Sequence, residues 1–227
     1  MSGLFKSSIG KKLIMSVTGL CLVLFLLFHM SMNLVAIFSG EAYNKVCEFL
    51  GTNWYALAGT AVLAVGFLLH IVYAFILTIQ NRRARGNVRY AYSVRPKMVE
   101  WASQNMLILG IIVLVGLGLH FSHFWYKMMF AELVGAEHQF GPTDGAAWLQ
   151  FYFSQPVIVV LYLVWFVAIW FHLTHGFWSA IQTIGWNNLV WMSRIQKIST
   201  IFATIICLGF AAVVITFFVK SLCCCAA

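Results

Sequence analysis

Charged residues are scarce in this sequence. Asp, Glu, Lys and Arg make up 9% of the 227 residues, whereas 62% are hydrophobic and the mean hydropathy is +0.90. Soluble domains carry about a quarter charged residues, so this composition excludes an ordinary soluble domain and indicates an integral membrane protein. Five apolar runs reach the roughly 20 residues that a helix needs to cross a bilayer. They lie near 13–38, 54–79, 103–128, 155–183 and 198–219.

Several cofactor motifs are also missing. The six cysteines form no C-x-x-C-H haem attachment, no ferredoxin spacing and no zinc pattern, and no dinucleotide-binding glycine fingerprint occurs. Flavin and iron–sulfur chemistry is therefore not expected on this chain. Three cysteines form a terminal run from Cys223 to Cys225, which we interpret as a tail without a role, with lipidation or redox activity as alternatives. The first apolar run lacks a small-x-small cleavage site and is interpreted as a retained helix.

Basic residues are distributed unevenly. All but three of the 14 lysines and arginines fall before the first run, between the second and third, or before the fifth. The exceptions are Lys45, Lys127 and Lys220. Because positive residues accumulate on the cytoplasmic side of a membrane, we predict a cytoplasmic N-terminus and an outer C-terminus. The net charge of +8 is thus a topology signal, and nucleic-acid binding is not expected. The sequence predicts an all-α bundle of five transmembrane helices, with residues 1–227 in a single transmembrane domain.

Four of the apolar runs contain an interior histidine. Counted from the predicted start of each run, His29, His70, His120 and His172 lie about 16 or 17 residues in, roughly 24 Å along a core about 30 Å thick. Successive runs cross in opposite directions, so His29 and His120 are predicted near the outer face. His70 and His172 are predicted near the inner face. Two pairs follow, about 15 Å apart along the membrane normal after allowance for tilt.

Two imidazoles at one level of an apolar region, with glycines nearby, suit axial ligation of a b-type haem iron. Zinc is a poorer match, because structural zinc sites use four clustered ligands. A proton relay would add carboxylates, which the apolar runs lack. For any single histidine, a helix–helix hydrogen bond is the alternative. His123 and His175 follow two of the candidate ligands, His120 and His172, by three residues. We place them beside the haems, within reach of a propionate. It stays open whether either of them is a ligand in place of the candidate.

Three motifs in the chain resemble those of a known family. They are Ser16-Val-Thr-Gly19 with His29 ten residues after the glycine, Gly110 with His120 at the same spacing, and His172-x-x-x-Gly176. Together they resemble the cytochrome b membrane-anchor subunit of succinate dehydrogenases and quinol:fumarate reductases. The most similar type is the single-subunit, five-helix form that binds two haems.

The resemblance implies two haem b groups and their ligands. The inner haem iron would be held by His70 and His172, and the outer one by His29 and His120, with Ser16 near a propionate. An exchangeable quinone, menaquinone in most members, would react near the outer haem. The candidates for that quinone site lie at the outer end of the second run: Glu41, Tyr43, Glu48 and Trp54.

The resemblance also implies partners. A flavoprotein carrying FAD and a subunit carrying iron–sulfur clusters would dock on the cytoplasmic side of a bacterial inner membrane. The basic segment 82–97 is a candidate docking surface, and topology with binding of anionic lipid is the alternative explanation of its charge. The chain would then be one subunit of a respiratory enzyme, with the succinate and fumarate chemistry on its partners, and complexes that pair as dimers are compatible with it. The alternatives are a di-haem, quinone-reactive subunit of a nitrate reductase or hydrogenase type, and a haem-free transporter or scaffold.

Overall fold

The computed structural model describes residues 7–86, 101–186 and 188–224. Every regular element within these ranges is helical, which confirms the all-α prediction for them. The elements are α1 (Ser8–Phe38), α2 (Gly40–Thr52), α3 (Trp54–Arg85), α4 (Trp101–Gln104), α5 (Met106–Val134), α6 (Gly145–Phe153), α7 (Pro156–Thr183) and α8 (Leu189–Cys224). Five of them, α1, α3, α5, α7 and α8, are long and apolar enough to cross a membrane. These five make the chain a multi-pass membrane protein.

The long helices extend past the apolar runs that predicted them. α1 begins at Ser8, and the Ser7 hydroxyl caps it by accepting a hydrogen bond from the Gly10 N–H at 3.0 Å. α8 begins at Leu189, ahead of the predicted 198, and includes the basic residues Arg194 and Lys197. Hydropathy marks where apolar sequence begins, whereas a helix continues wherever its backbone bonds and caps allow. The N-terminal Lys6, positions 87–97 of the basic segment and Cys225 lie outside the described residues.

Two short helices connect spanning helices: α2 lies between α1 and α3, and α6 lies between α5 and α7. Ser39 caps α2 by accepting from the Ala42 N–H at 3.1 Å, and Asp144 caps α6 by accepting from the Ala147 N–H at 3.2 Å. Asn44 joins the two helices: its amide donates to the Asp144 carboxylate at 2.8 Å, and its carbonyl accepts from the Ala146 N–H at 2.9 Å. We call α2 and α6 together the outer cap, after the side of the membrane on which the predicted topology places them.

α7 lies at the centre of the bundle. It packs against α8, α1 and α5, while α3 packs on the far side of α1. Aromatic contacts dominate the interface with α8, where Phe166 stacks on Phe210 at 5.6 Å and the Trp170 indole donates to the Thr204 hydroxyl at 2.8 Å. The outward face of α3 exposes large apolar side chains such as Val62 (74%), as expected of a helix that meets lipid.

The middle of α5 is a π-helix. The stretch Phe121–Phe130 follows an i→i+5 hydrogen-bond pattern, between α-helical stretches that end at His120 and begin again at Ala131. π-helical turns are uncommon and occur mostly at functional sites. The wider turn begins immediately after His120, so side chains beyond it do not follow the 3.6-residue repeat that the sequence analysis assumed for His123.

Gly116 is a point of close packing between α5 and α7. A Cβ at this position would overlap the indole ring of Trp165, whose Nε1 donates to the Val113 carbonyl at 3.0 Å. We expect Gly116→Leu to displace the indole and to lower the free energy of unfolding by about 1–3 kcal/mol, the usual cost of overpacking. Thermal unfolding in detergent, followed by circular dichroism, measures the effect. Gly118→Leu is the matched control, since its Cβ meets open space; equal losses in both variants would contradict the packing argument.

The outer cap depends on Asn44. Asn44→Ala removes both hydrogen bonds to α6 and leaves the Asp144 carboxylate with one partner fewer. We expect this to lower the free energy of unfolding by about 1–3 kcal/mol. We expect faster hydrogen exchange confined to α2 and α6, measured by mass spectrometry. Asn53→Ala is the control, because the Asn53 amide donates only to a carbonyl of its own helix, that of Phe49. A cap whose exchange is unchanged by Asn44→Ala would show that apolar contacts alone hold it.

Candidate functional site

The outer pair of histidines lies between α1 and α5. The ring centroids of His29 and His120 are 5.8 Å apart, with their planes at 83°. Phe25 stacks on His29 at 5.4 Å, and Phe210 lies 5.7 Å away. A metal-bound imidazole nitrogen lies about 2 Å from an ion such as zinc, so two rings sharing one ion have centroids about 6 Å apart. The spacing of the outer pair fits two ligands of one metal ion.

The two histidines of the inner pair lie on α3 (His70) and α7 (His172). Each rests on a glycine of a third helix. A Cβ on Gly19 of α1 would lie 3.0 Å from Cε1 of His70, and a Cβ on Gly110 of α5 would lie 3.7 Å from Cε1 of His172.

The two levels are fixed by the helices α1 and α5. On α1, Gly19 marks the inner level and His29 the outer level; on α5, Gly110 and His120 do the same. Each interval is ten residues, which at about 1.5 Å per residue corresponds to roughly 15 Å. Two separate helices therefore give the same spacing as the depth count made from the sequence.

Ring nitrogens without partners mark both levels. The Nδ1 atoms of His120 and His172 are buried and have no hydrogen-bond partner. A neutral imidazole has one donor and one acceptor nitrogen, and a buried orphan of either kind is costly. Native proteins leave few such groups without an ion, a water or a ligand to satisfy them. In the described ranges, no group of three His, Cys, Asp or Glu side chains is arranged to hold a metal ion.

His123 is engaged by tyrosines. Its ring stacks on Tyr152 at 4.1 Å and on Tyr162 at 5.9 Å, and its Nδ1 lies 3.3 Å from the Tyr162 hydroxyl. Tyr162 is buried and also contacts the ring of His120 at 6.3 Å. The π-helical turn accounts for this direction. His123 therefore lies beside the outer pair, separated from His120 by Tyr162.

His175 and Ser16 lie toward the inner side. The His175 ring packs edge-on against Trp178 at 4.9 Å and is close enough to His172 to interact electrostatically. Ser16 is buried, with 7% of its surface exposed, one turn before Gly19 on α1. The buried Ser199 on α8 and the Trp178 indole each have a polar atom without a partner, and the sequence analysis singled out neither of them.

The four quinone-site candidates are not brought together. Glu41 is exposed and pairs with Lys45 at 2.8 Å on the surface of α2. Tyr43 points into the core, where its hydroxyl donates to Asn33 at 3.0 Å, and burial raises the pKa of this phenol well above its usual value. Glu48 and Trp54 are exposed. A tyrosine with a raised pKa holds its proton, so Tyr43 is better suited to holding the outer cap than to passing protons.

Tyr43 belongs to a buried polar contact between the cap and α1. Asn33, which accepts from Tyr43, donates its amide to the backbone carbonyl of His29 at 2.8 Å. Beside Tyr43, the thiol of Cys47 faces Gly145 of α6, and burial raises the pKa of Cys47 to about 11. The outer cap is thus connected, through neutral groups, to the turn of α1 that carries His29.

Sequence reasoning missed the residues that support the histidines. Gly19 and Gly110 were noted for their spacing, but the side chains that rest on them were not identified. The ring of Trp165 lies 5.9 Å from that of His120 and packs on Gly116. The only sign of this packing in the sequence is the glycine. The Thr18 hydroxyl lies 3.4 Å from Nδ1 of His70. The two residues are 52 positions apart on different helices, so no local sequence pattern indicates the contact.

Comparisons of this chain with protein-family models, with curated proteins and with solved structures returned no match.

Proposed function

We propose that this protein is the di-haem cytochrome b membrane subunit of a succinate:quinone oxidoreductase or quinol:fumarate reductase. The observation that carries the proposal is the arrangement of four histidines from four helices as two pairs at two levels. The buried Nδ1 atoms of His120 and His172, which have no hydrogen-bond partner, add to it, because native proteins leave few such groups without a ligand, an ion or a water. The family itself is inferred from the sequence motifs around Gly19, Gly110 and His172.

The residues of this chain would hold, orient and shield the two centres. His29 with His120, and His70 with His172, supply the axial nitrogens. Phe25, Phe210 and Trp165 surround the outer pair with apolar rings and exclude water from it. When bound, haem b supplies one-electron chemistry at each level. The roughly 15 Å between levels then makes the bundle a route for electrons across the membrane.

The proposed partners follow from the family resemblance. Flavin and iron–sulfur chemistry would belong to two other subunits, a flavoprotein and an iron–sulfur protein. Arg82 and Arg83 end α3, and Arg194 and Lys197 lie near the start of α8. On the predicted topology these cations face the cytoplasm, where they would contact the iron–sulfur subunit and anionic lipid.

Quinone is proposed to react near the outer pair. A quinone site needs an apolar slot and a group that exchanges protons with water. Of the residues considered, Glu48 and Trp54 are exposed at the outer end of the bundle, whereas Tyr43 is held in the core. The proposed reaction is electron exchange between the outer level and quinone, with protons exchanged on the outer side.

The haem content of the purified chain tests the proposal. We expect two b haems per chain by pyridine-haemochrome quantitation, and one in His172→Ala or in His120→Ala. His175→Ala is the control, since it lies beside the inner pair and should keep both haems. A colourless protein would overturn the proposal and favour a transporter or scaffold.

The pairing can be tested separately from the number of haems. We expect His70→Ala and His172→Ala to abolish the same midpoint in a redox titration, and His29→Ala and His120→Ala to abolish the other. Loss of different midpoints within one pair would contradict the assignment. Co-purification with a flavin-bearing subunit separates the proposal from a nitrate reductase or hydrogenase type, which would bring a molybdenum or nickel–iron subunit instead.

A further inference from the structure

The segment Met15–Gly19 of α1 contacts His70 of the next spanning helix, α3. Nδ1 of His70 lies 3.1 Å from the Met15 carbonyl oxygen and 3.4 Å from the Thr18 hydroxyl. The Thr18 hydroxyl donates its own hydrogen to the carbonyls of Ile14, at 2.8 Å, and Met15, at 3.0 Å. Its oxygen is therefore left to accept. Both oxygens near Nδ1 are acceptors, so the ring proton belongs on Nδ1.

Gly19 permits this contact. A Cβ at position 19 would lie 3.0 Å from Cε1 and 3.4 Å from Nδ1 of His70. The first distance is shorter than ordinary carbon contacts, so a side chain at position 19 would require the ring to shift by a few tenths of an ångström. Gly19, which has no side chain, and the Met15 carbonyl both lie against the same edge of the His70 imidazole.

His120 and His172 differ from His70 in this respect. Their Nδ1 atoms are buried without a hydrogen-bond partner. The ring of His172 lies 3.7 Å from a Cβ placed on Gly110, an ordinary packing distance. The tight contact and the hydrogen bonds of His70 are therefore a local feature of α1 and not a general property of the two levels.

We propose that Met15, Thr18 and Gly19 form a socket that fixes the Nδ1–H tautomer of His70 and leaves Nε2 as its metal-binding nitrogen. The effect of the socket on a haem rests on the proposed function. An imidazole whose other nitrogen donates to a carbonyl is a stronger electron donor to a bound metal. Thr18 and Gly19 are positioning residues: they act through His70. The socket also gives a physical meaning to a motif that was known only by its spacing.

The tautomer can be measured without any haem. In the full chain, prepared haem-free and labelled with ¹⁵N-histidine, the His70 signals are those lost in His70→Gln. We expect a protonated Nδ1 and an unprotonated Nε2 in the wild type, and loss of that preference in Gly19→Val. A protonated Nε2 in the wild type, or an unchanged preference in Gly19→Val, would overturn the socket.

The haem-loaded protein provides the second measurement. We expect Gly19→Ala and Thr18→Val to weaken binding of the inner haem about tenfold, a typical effect of removing support behind a ligand, and to raise its midpoint potential. Thr18→Ser should restore both values, because serine keeps the hydroxyl. The outer haem should not change in any of these variants, and the haem lost in His172→Ala identifies the inner one.

Matched controls separate the socket from general effects on the helix. Thr60→Val removes an equivalent hydroxyl, which donates to the Ala56 carbonyl at 2.9 Å on α3, and Gly51→Ala adds a methyl group where there is open space. If Thr18→Val and Gly19→Ala match these controls, the socket is wrong although the haems are bound. If the wild type binds no haem, the proposed function is wrong, and the tautomer measurement still decides the socket.

Discussion

A neutral imidazole in an apolar environment carries one donor and one acceptor, and lipid can satisfy neither. This constraint organises the bundle. The spanning helices α1, α3, α5 and α7 carry the four histidines of the two levels. His29 and His120 meet ring to ring, while His70 and His172 rest on Gly19 and Gly110. His70 meets the constraint at one nitrogen through a carbonyl of α1, whereas His120 and His172 leave a nitrogen without a partner in the protein itself. The packing of the bundle and the proposed chemistry therefore depend on the same atoms.

Much of the architecture follows from hydropathy and spacing. Five apolar runs predicted five helices, because burial in lipid forces the backbone to satisfy its own hydrogen bonds. The interval of ten residues from Gly19 to His29 and from Gly110 to His120 places a glycine and a histidine at two depths of one helix. Counting residues needs no tertiary information, so the depths of the histidines were accessible from the sequence alone.

The rest depends on contacts between distant parts of the chain. The outer cap is held by Asn44 and Asp144, 100 positions apart. Its two helices, of 13 and 9 residues, are too short to register as membrane spans. The π-helical turn after His120 redirects His123 toward Tyr152, and a repeat of 3.6 residues cannot anticipate it. Glu41, Tyr43 and Glu48 are neighbours in sequence, but the helical turn of α2 points Tyr43 inward while both acids stay exposed. Their burial therefore could not be read from their closeness in the chain.

The levels marked by Gly19 and His29, and again by Gly110 and His120, have a mechanical consequence. Their separation is a length along continuous helices, so it is set by covalent geometry and backbone hydrogen bonds. A thinner or thicker bilayer can tilt a bundle of helices, but tilting α1 and α5 together carries both levels with it. The distance between the two histidine levels, and with it any rate that depends on that distance, should thus be insensitive to the lipid composition of the membrane.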